Sequence, residues 1–364
     1  MTDSLTSDPD RYDERILVTG STGYLGRYVV ERLRTTGHSF SELNVLSRRG
    51  KLSWLSSNCS NQGVPAVSLG SGHALNGNAL PEPIDLRDLA GVQHRLSELR
   101  PTVILHLAGE TGRRGVADSV QINCDTVNVA GTRNLLEVAG RIGVRRVVSI
   151  GSAAEYGLRM TAEPLDVTAL CRPTTQYGRS KLQQTEVVFE QSRRWGFAAC
   201  VLRVFNLFGP DQPSGTLIPD LLTRISAAAV NSIARWKLSR AGDVRDFVPV
   251  EIVARVIVEL ATRRELIGIQ HASTGEGHTV GEVAHWLSDE FCRLCSSSWS
   301  EQRWIDGLLW QFAESDREPT YSIGVPSPII KEVVSAWPLD IEQEIRAVAN
   351  RAARQKPASD CCDG

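Results

Sequence analysis

The sequence contains no apolar run that approaches the roughly 20 residues needed to span a bilayer. Its N-terminal segment, MTDSLTSDPDRYDER, is polar and acidic and lacks the apolar stretch of a secretory signal peptide. Basic residues are not in excess either, because 40 lysines and arginines face 42 acidic residues, for a formal net charge of −2. A nucleic-acid-binding surface would need a basic excess. We therefore expect a cytoplasmic protein with neither a membrane nor a nucleic acid as its partner.

Cysteine is sparse as well. Eight cysteines are scattered over 364 residues, a pattern unlike that of a disulfide-bonded scaffold, so reduced thiols are expected. Only Cys292 and Cys295 stand at the C-x-x-C spacing of zinc ligands, and no second pair at such a spacing accompanies them. We leave that pair without a role and predict no metal site.

Short apolar runs alternate with helical patterns through the first two thirds of the chain. An apolar run that ends in glycine or a polar cluster predicts a buried strand, and apolar residues at helical spacing predict the helix that follows it. The predicted strands are 15–19, 43–46, 103–109, 146–150 and 199–204, and the predicted helices include 28–33, 117–141 and 177–195. Repeated βα units of this length predict an α/β fold, a Rossmann-like doubly wound parallel sheet.

The last third breaks this alternation and is mainly helical. Helices are predicted at 217–230, 250–261 and 280–287, the last of them with Thr279 as its N-cap. We predict a dinucleotide-binding Rossmann domain at 14–205, to which 241–261 returns, and a smaller, mainly α lobe that binds the substrate at 206–240 and 262–354. The other predicted segments are disordered residues 1–13, a loop insertion of unknown role at 51–83 and a tail at 355–364.

A glycine-rich turn, TGSTGYLG at 19–26, joins the first predicted strand to the first helix. Gly20 permits a tight turn, Gly23 permits the backbone to approach a pyrophosphate, and Gly26 lets the helix pack closely on the strand. The free N–H groups and the dipole of the helix N-terminus then favour phosphate. Such a motif alone is weak evidence, but its place between an apolar strand and a helix predicts that the chain binds a nicotinamide dinucleotide.

The second predicted strand ends in Ser47, Arg48 and Arg49, where the adenosine ribose is expected. An acidic residue at this place would bind the 2′-hydroxyl of NAD, and none lies between Asn44 and Ser53. Arginine pairs well with a 2′-phosphate, so the sequence predicts NADP(H) over NAD(H). The alternative is that both arginines only stack or face solvent.

Tyr177 and Lys181 stand four residues apart and so share one face of a predicted helix. A nearby ammonium stabilises phenolate, so it lowers the pKa of a tyrosine toward working pH and makes it a general acid or base. Ser152, just after the strand at 146–150, can hydrogen-bond the same substrate oxygen. A Tyr-x-x-x-Lys pair is by default a solvated helix face, and its position downstream of the glycine turn and of Ser152 favours catalysis.

Taken together, these motifs resemble the extended short-chain dehydrogenases/reductases, the group of nucleotide-sugar epimerases, dehydratases and reductases. The resemblance runs from about residue 14 to about residue 350, and its motifs come in family order. The matching segments are TGSTGYLG (19–26), DLRD (85–88), HLAG (106–109), Asn123 with GTRNLL (131–136), SIGSAAEYG (149–157), Pro173, Tyr177 with Lys181, RVFNLFGP (203–210) and RDFVPV (245–250).

The resemblance implies a role for each site residue. Tyr177 would be the acid/base, Lys181 would lower its pKa and bind the nicotinamide ribose, and Ser152 would orient the reacting oxygen. The substrate would be held by Asn206 and by two diphosphate arginines, Arg245 and Arg317, although Asn206 could instead cap a turn and Arg245 could pair with Asp246. The predicted cofactor contacts are Gly20, Thr22, Gly23, Tyr24, Leu25, Gly26, Ser47, Arg48, Arg49, Asp85 (at the adenine), Leu86, Leu107, Ala108, Gly109, Tyr177 and Lys181.

Further expectations from the resemblance concern assembly and the substrate border. A homodimer through the helices around 117–141 and 177–195 is expected. The loop at 110–117 is expected to border the substrate, with no role assigned to its individual residues. The sequence does not identify the sugar or the nucleotide.

Departures from the family pattern reduce the number of reactions that the chain is expected to catalyse. Family members that dehydrate at C4–C6 carry an acidic pair after the strand serine or threonine, and those that decarboxylate carry a glutamate there. Ala153 and Ala154 stand at these positions, and alanine cannot transfer a proton. Glu155 follows, and in an extended segment its side chain would point to the opposite face unless it turned inward.

Two chemistries remain open for this chain. The favoured one is reduction of a 4-keto sugar nucleotide with NADPH, and the alternative is a 4-epimerase that retains its dinucleotide. Tyr177, Lys181 and Ser152 serve both, since each moves a hydride at carbon and a proton at oxygen. A non-catalytic dinucleotide-binding protein is disfavoured because all three residues are intact.

Overall fold

The computed structural model describes residues 14–43, 84–111, 124–231, 236–238, 240–263, 265–295, 310–312, 318–336 and 339–354. Its strands are β1 (Ile16–Thr19), β2 (Phe40–Leu43), β3 (Val103–His106), β4 (Arg146–Ser152), β5 (Ala198–Val204), β6 (Asn206–Phe208), β7 (Trp236–Leu238), β8 (Val244–Arg245), β9 (Phe247–Pro249), β10 (Gly268–Ala272), β11 (His278–Thr279), β12 (Trp310–Phe312) and β13 (Tyr321–Ser322). Its helices are α1 (Tyr24–Thr35), α2 (Leu89–Leu99), α3 (Thr132–Arg141), α4 (Gln176–Trp195), α5 (Leu217–Asn231), α6 (Val250–Thr262), α7 (Val280–Cys295), α8 (Pro328–Ser335) and α9 (Ile341–Arg354).

Six parallel strands form the main sheet in the order β10-β5-β4-β3-β1-β2. The chain leaves β1 toward β2 on one side, and β3, β4 and β5 follow on the other side. The order therefore reverses next to β1, and in open α/β sheets ligands bind at the carboxyl ends of the strands at such a point. The predicted Rossmann-like doubly wound sheet is confirmed, and its switch point coincides with the glycine turn.

Successive side chains of each strand point to opposite faces of the sheet, so the apolar core has two layers, one on each face. Ile16 and Val18 of β1 pack toward α1, α6 and α8, whereas Leu17 between them packs toward α2, α3 and α4. Both faces of the sheet are covered, so the strands are continuous apolar runs, as parallel strands buried on both sides must be. Burial of each such aliphatic side chain stabilises the fold by roughly 1.5–3 kcal/mol.

A third apolar cluster belongs to the later part of the chain, where α5, α7 and α9 pack around Phe208 and Phe247. The N-terminus of α7 carries the predicted cap, because Thr279 Oγ1 accepts the Glu282 N–H and Glu282 accepts the Thr279 N–H. Residues 268–272 lie within the range assigned to the smaller lobe, but they form the edge strand of the main sheet beside β5. The mainly helical character of this region is confirmed.

Several predicted boundaries shift. The second strand runs over Phe40–Leu43, three residues before its predicted start, because the alternation of Phe40, Ser41, Glu42 and Leu43 pairs with β1. The stretch that precedes α3 is a π-helix at Asp125–Gly131. No helix among the described residues is both long and apolar enough to cross a membrane.

Candidate functional site

The turn after β1 requires glycine at its first position. Gly20 has a φ of +73°, a left-handed conformation that L side chains rarely adopt. A Cβ at Gly20 would also lie only 2.7 Å from the backbone nitrogen of Ala108, on the segment that follows β3. The turn is therefore pressed against the neighbouring strand end.

Helix α1 begins directly on this turn. A Cβ at Gly26 would lie 2.1 Å from the Gly20 carbonyl oxygen, so glycine permits this close packing. Among the described residues, a Cβ at Gly23 would meet just that same oxygen within 4 Å, at 3.1 Å, so these residues leave the space in front of Gly23 open. Within the described part of the chain no side chain caps the helix, and Arg27 N–H is the donor to Gly23 O. The preceding N–H groups of the first turn lack intrahelical partners, and they fit a phosphate.

A buried histidine ties the strand ends together at this edge. His106 Nδ1 and Nε2 each lie 2.8 Å from a hydroxyl oxygen, of Thr19 on β1 and Thr132 on α3. Burial, with a smaller contribution from Lys181, lowers the pKa of His106 to about 3, so the ring is neutral. Thr19 Oγ1 also accepts the Ala108 N–H, which fixes the predicted Leu107–Gly109 edge beside the turn.

The predicted adenine contact has a partner within the chain. The Asp85 carboxylate accepts hydrogen bonds from the Arg87 backbone N–H at 2.9 Å and from its guanidinium at 2.5–2.9 Å. The Arg87 side chain lowers the pKa of Asp85. Leu86 is buried beneath, where its carbonyl accepts the Asn134 side-chain N–H. The predicted ribose-phosphate contacts, Ser47 with Arg48 and Arg49, lie outside the described residues.

Tyr177 lies in the first turn of α4, whose N-cap Thr175 accepts the Gly178 N–H. The tyrosine is half-buried and lies beside the Ser152 side chain. Burial raises the pKa of Tyr177 to about 12, and the Ser152 hydroxyl opposes this rise only in part. We expected Lys181 to lower this pKa. Here the desolvation of the phenol prevails, and Tyr177 is protonated at neutral pH.

Lys181 is buried one turn further along α4. Its ammonium donates to the Ile150 carbonyl oxygen at 2.5 Å and to Gln184 Oε1 at 2.7 Å. Burial lowers the pKa of Lys181 to about 8, against the charges of Glu155 and Cys124, which raise it. A Cβ at Gly109 would lie 4.0 Å from its Nζ, so the lysine stands next to the β3 edge.

Asn128 is a site residue that the sequence analysis did not identify. It is buried in the π-helical segment and donates to Ser180 Oγ and to the Glu110 carbonyl oxygen, both at 3.0 Å. Its Oδ1 accepts the Glu110 N–H at 2.8 Å. Asn128 therefore joins the segment after β3 to helix α4, which carries the predicted catalytic residues. An amide within an otherwise apolar helical pattern, just before Gly131, was the available signal.

Glu155 does not turn toward the substrate side. Residues Ala153–Glu155 form a 3₁₀ turn rather than an extended segment, and the Glu155 side chain is 0% exposed. Its carboxylate accepts the Ser152 N–H at 2.8 Å and the Arg203 guanidinium at 2.8 Å. The alternative left open by the sequence is therefore settled, because this carboxylate is engaged inside the protein.

The predicted sugar-side residues lie on the short strands β6 and β8. Asn206 donates its backbone and side-chain N–H groups to the Asp246 carbonyl oxygen, both at 3.0 Å, and caps no helix. Arg245 pairs with Asp243 at 3.0 Å and donates to both oxygens of Thr320. The Asp246 carboxylate instead accepts N–H groups of the 274–275 turn.

The structure brings most of these residues to one edge of the sheet. Tyr28 of α1 donates to the Pro210 carbonyl oxygen, so the segment after Asn206 lies beside the glycine turn. Arg317 and residues 112–123 lie outside the described part of the chain, as does most of the loop expected to border the substrate. The side chains of Cys292 and Cys295 are also outside it, and the described cysteines Cys124, Cys171 and Cys200 are free.

Comparison with known proteins gives one family and several relatives. The model of the NAD dependent epimerase/dehydratase family matches residues 16–271. A dTDP-6-deoxy-L-talose 4-dehydrogenase (NAD(P)(+)) of Kitasatospora kifunensis is 25% identical over 284 residues, which are 78% of this chain and 80% of that protein. UDP-glucose 4-epimerase of Mus musculus is 30% identical over 296 residues, 73% of this chain and 79% of that enzyme.

A similar solved structure is UDP-glucose 4-epimerase of Thermus thermophilus in complex with NAD. It superposes with a TM-score of 0.68 at 24% identity, covering 94% of this chain and 100% of the other. At that identity the likeness concerns the fold.

Proposed function

The chain belongs to the NAD dependent epimerase/dehydratase family, and on that premise we propose that it reduces a 4-keto nucleotide sugar with NADPH. The match confirms the family that the motifs predicted, and with it an NAD(P)-dependent enzyme of the short-chain dehydrogenase/reductase type. The reductase direction, the preference for NADP(H) over NAD(H) and the roles below are proposals.

One observation carries the proposal: Tyr177 and Ser152 lie beside each other, and Glu155, the carboxylate nearest to Ser152 along the chain, is bonded inside the protein. Ala153 and Ala154 occupy the positions of the acid and base in dehydratases, and Glu155 is buried against Arg203. Removal of water at C4–C6 needs a proton acceptor and a donor there, and the two alanines can supply neither. Hydride transfer at C4 needs only one proton, which Tyr177 supplies or takes.

The protonation state of Tyr177 favours reduction. A raised pKa keeps the phenol protonated at neutral pH, the state that donates a proton to a carbonyl oxygen. Ser152 Oγ orients that oxygen, and the positive charge of Lys181 stabilises the phenolate left behind. When bound, the dinucleotide supplies the hydride. The open space before Gly23 and the N–H groups of α1 fit its pyrophosphate, and the Gly109 edge lies beside Lys181.

The 4-epimerase alternative uses the same residues and retains its dinucleotide. One experiment separates the two reactions. Purified protein is analysed by mass spectrometry for retained dinucleotide and then assayed with 4-keto nucleotide sugars and NADPH. Stoichiometric NADPH consumption supports the reductase. Retained dinucleotide with interconversion of 4-epimers and no net NADPH consumption supports the epimerase, and dehydration of a nucleotide sugar would contradict both.

Cofactor choice has a direct test, because the predicted arginines act only on the 2′-phosphate. Fluorescence titration gives Kd for NADPH and NADH with the wild type and an Arg48→Ser/Arg49→Ser variant. We expect tighter NADPH binding that is lost in the variant while NADH binding is kept. Tighter NADH binding by the wild type would overturn the preference.

We also propose a homodimer through α3 and α4. Their outer faces carry Arg133 paired with Glu190, and Glu137 paired with Arg194. Analytical ultracentrifugation decides the oligomeric state, and a monomer at micromolar concentration would contradict this assembly.

A further inference from the structure

We propose that Glu155 is a positioning residue, a buried carboxylate that fixes the Ser152 strand end against helix α4 and holds a negative charge behind Tyr177 and Lys181. The inference rests on the proposed function, since it concerns residues to which that function assigns catalysis. It goes beyond it because Glu155 is fully buried and lies outside the positions where family members carry a catalytic acid.

Its contacts reach three elements of the site. Glu155 Oε1 accepts the backbone N–H of Ser152 at 2.8 Å, at the end of β4. Glu155 Oε2 accepts the Thr185 hydroxyl at 3.1 Å and Arg203 Nε at 2.8 Å, which lie on α4 and β5. Thr185 is one helical turn beyond Lys181, on the same face of α4. One carboxylate thus bonds the strand that carries the serine to the helix that carries the tyrosine and lysine.

The residues around the Glu155 carboxylate leave room for it and hold its partner Arg203 in place. A Cβ at Gly151 would lie 2.7 Å from Glu155 Oε1 and 3.1 Å from Arg203 Cγ, so glycine at this strand position makes room for the pair. The Arg203 guanidinium lies 4.6 Å from the ring centroid of Tyr156 and donates to its hydroxyl at 2.7 Å. That hydroxyl also lies 2.5 Å from His271 Nε2. Because the ion pair is fully bonded, the carboxylate stays charged although burial raises its pKa.

The charge acts on both catalytic side chains. Glu155 raises the pKa of Lys181 and adds to the raised pKa of Tyr177. It thereby keeps the lysine charged against the cost of its burial and keeps the phenol protonated. The other titratable or charged groups around this cluster are Cys124 before α3, His106 on β3, Tyr156 after the 3₁₀ turn, Cys171 in the next loop, Glu186 on α4 and Arg203 on β5.

The test follows Lys181 by NMR and needs no substrate. The chain has five lysines, so ¹³Cε-lysine labelling gives few signals, and a Lys181→Arg variant assigns the relevant one. In the wild type we expect a lowered Lys181 pKa of about 8, because the ammonium is buried. We expect Glu155→Gln to lower this pKa by about one unit, a tenfold change in proton affinity. The control is Glu290→Gln, which removes a buried carboxylate bonded to Arg293 and Asn350 in the later part of the chain and should leave the titration unchanged.

Activity supplies the second readout. We expect Glu155→Gln to lower kcat about tenfold and to move its pH profile toward lower pH, with KM for the sugar within about twofold. A purely structural role would lower the active fraction and leave the profile in place. An unshifted Lys181 titration in folded Glu155→Gln protein overturns the inference.

Two further variants keep the inference testable if Glu155→Gln does not fold. Glu155→Asp retains the charge, so Lys181 should titrate as in the wild type. Thr185→Val removes the bond to α4 and retains the charge, so kcat should fall several-fold with no shift of the profile. A shift of Lys181 in Glu155→Asp as large as one unit, or an unchanged kcat in Thr185→Val, would contradict it.

The two readouts separate this inference from the proposed function. If the Lys181 titration shifts as expected but no nucleotide sugar is turned over, the proposed function fails and the Glu155 coupling stands. If the enzyme is active and Tyr177→Phe abolishes turnover but the titration does not move, the coupling fails and the proposed function stands.

Discussion

The candidate site has two halves, the glycine turn after β1 and the strands β6 and β8 that carry Asn206 and Arg245. They differ in whether their hydrogen-bond donors already have partners within the protein. At the glycine turn, the N–H groups of the first turn of α1 have no intrahelical partner, and the described residues leave the space before Gly23 open. On the side proposed to hold the sugar nucleotide, Arg245 donates to Asp243 and Thr320, and Asn206 donates to the Asp246 carbonyl oxygen. The first half has donors ready for a ligand, and the second half has bonded its donors to its own backbone and side chains.

This difference has an energetic consequence. Phosphate bound at the turn gains hydrogen bonds without breaking any within the protein. A diphosphate at Arg245 must share or replace existing bonds, each worth roughly 1 kcal/mol net. We therefore expect dinucleotide affinity to depend on backbone shape and sugar-nucleotide affinity to depend on a few exchangeable side chains.

The largest effect is expected from Tyr177→Phe. Loss of the proposed proton donor at the reacting oxygen should reduce kcat by roughly 100- to 10,000-fold. Dinucleotide Kd should change less than about twofold, because the pyrophosphate half of the site is untouched. Steady-state kinetics and fluorescence titration measure the two quantities. Tyr28→Phe, which loses one bond to Pro210, is the control, and equal losses in both variants would remove Tyr177 from the mechanism.

The turn is tested by Gly26→Ala. The added Cβ would lie 2.1 Å from the Gly20 carbonyl oxygen, so α1 must move and dinucleotide Kd should rise at least about tenfold. A stability cost of roughly 1–3 kcal/mol in urea unfolding is expected as well. Gly242→Ala is the control, since among the described residues its Cβ meets just Pro319, at an ordinary 3.8 Å. Wild-type cofactor affinity in Gly26→Ala would show that backbone shape does not determine dinucleotide binding at the glycine turn.

We expect the buried ammonium of Lys181 to lower the stability of the folded protein. Its pKa of about 8 lies below the ordinary 10.5, so below pH 8 the folded state carries a buried charge at a cost, and stability should rise from pH 8 toward 10.5. Lys181→Met should remove that cost and stabilise the protein at pH 7 by roughly 1–2 kcal/mol, after the lost bonds to Ile150 and Gln184 are counted. Urea unfolding at pH 7 and pH 9 measures this.

The control for that measurement is Lys331→Met, at an exposed position of α8, which should leave the pH dependence as it is. A destabilised Lys181→Met variant with the wild-type slope against pH would mean that the lysine is not buried at a cost.

The smallest effect is expected on the sugar side. Arg245→Lys keeps the charge and loses the planar fork, so KM for the nucleotide sugar should rise about tenfold while kcat stays within about threefold. Arg240 also pairs with Asp243 but is half exposed, so Arg240→Lys is a matched control with an expected change below about twofold. Equal effects of both variants would indicate a shared electrostatic contribution instead of a specific contact.

The sequence was most informative where one residue type alone meets a local requirement. Gly20 and Gly26 could be predicted because left-handed backbone and contact with a carbonyl oxygen admit almost nothing else. The strands of the main sheet were predictable because both of their faces are buried. The edge strand at 268–272 was missed because half-buried residues interrupt its apolar pattern.

Ion pairs, hydrogen bonds and pKa shifts that depend on distant segments were harder to predict from the sequence. Spacing placed Tyr177 and Lys181 on one face of α4, but it could not show that burial raises the pKa of the tyrosine. The partners of Glu155 and Arg245 come from other elements: Arg203 lies 48 residues from Glu155, and Thr320 lies 75 residues from Arg245. Such partners depend on how strands and helices are brought together, which no local pattern encodes.

In the π-helix at Asp125–Gly131, the number of residues matters to the site as much as their identity. A π turn holds more residues than an α turn, so the segment behaves as an α-helix with material inserted. Deleting one residue there, such as Ala130, would let the helix tighten and rotate Asn128 by roughly 100° relative to α3. Its bonds to Ser180 and Glu110 would then be lost, although every side chain of the catalytic set would remain. This stretch is thus intolerant of a one-residue deletion even where it would tolerate substitution.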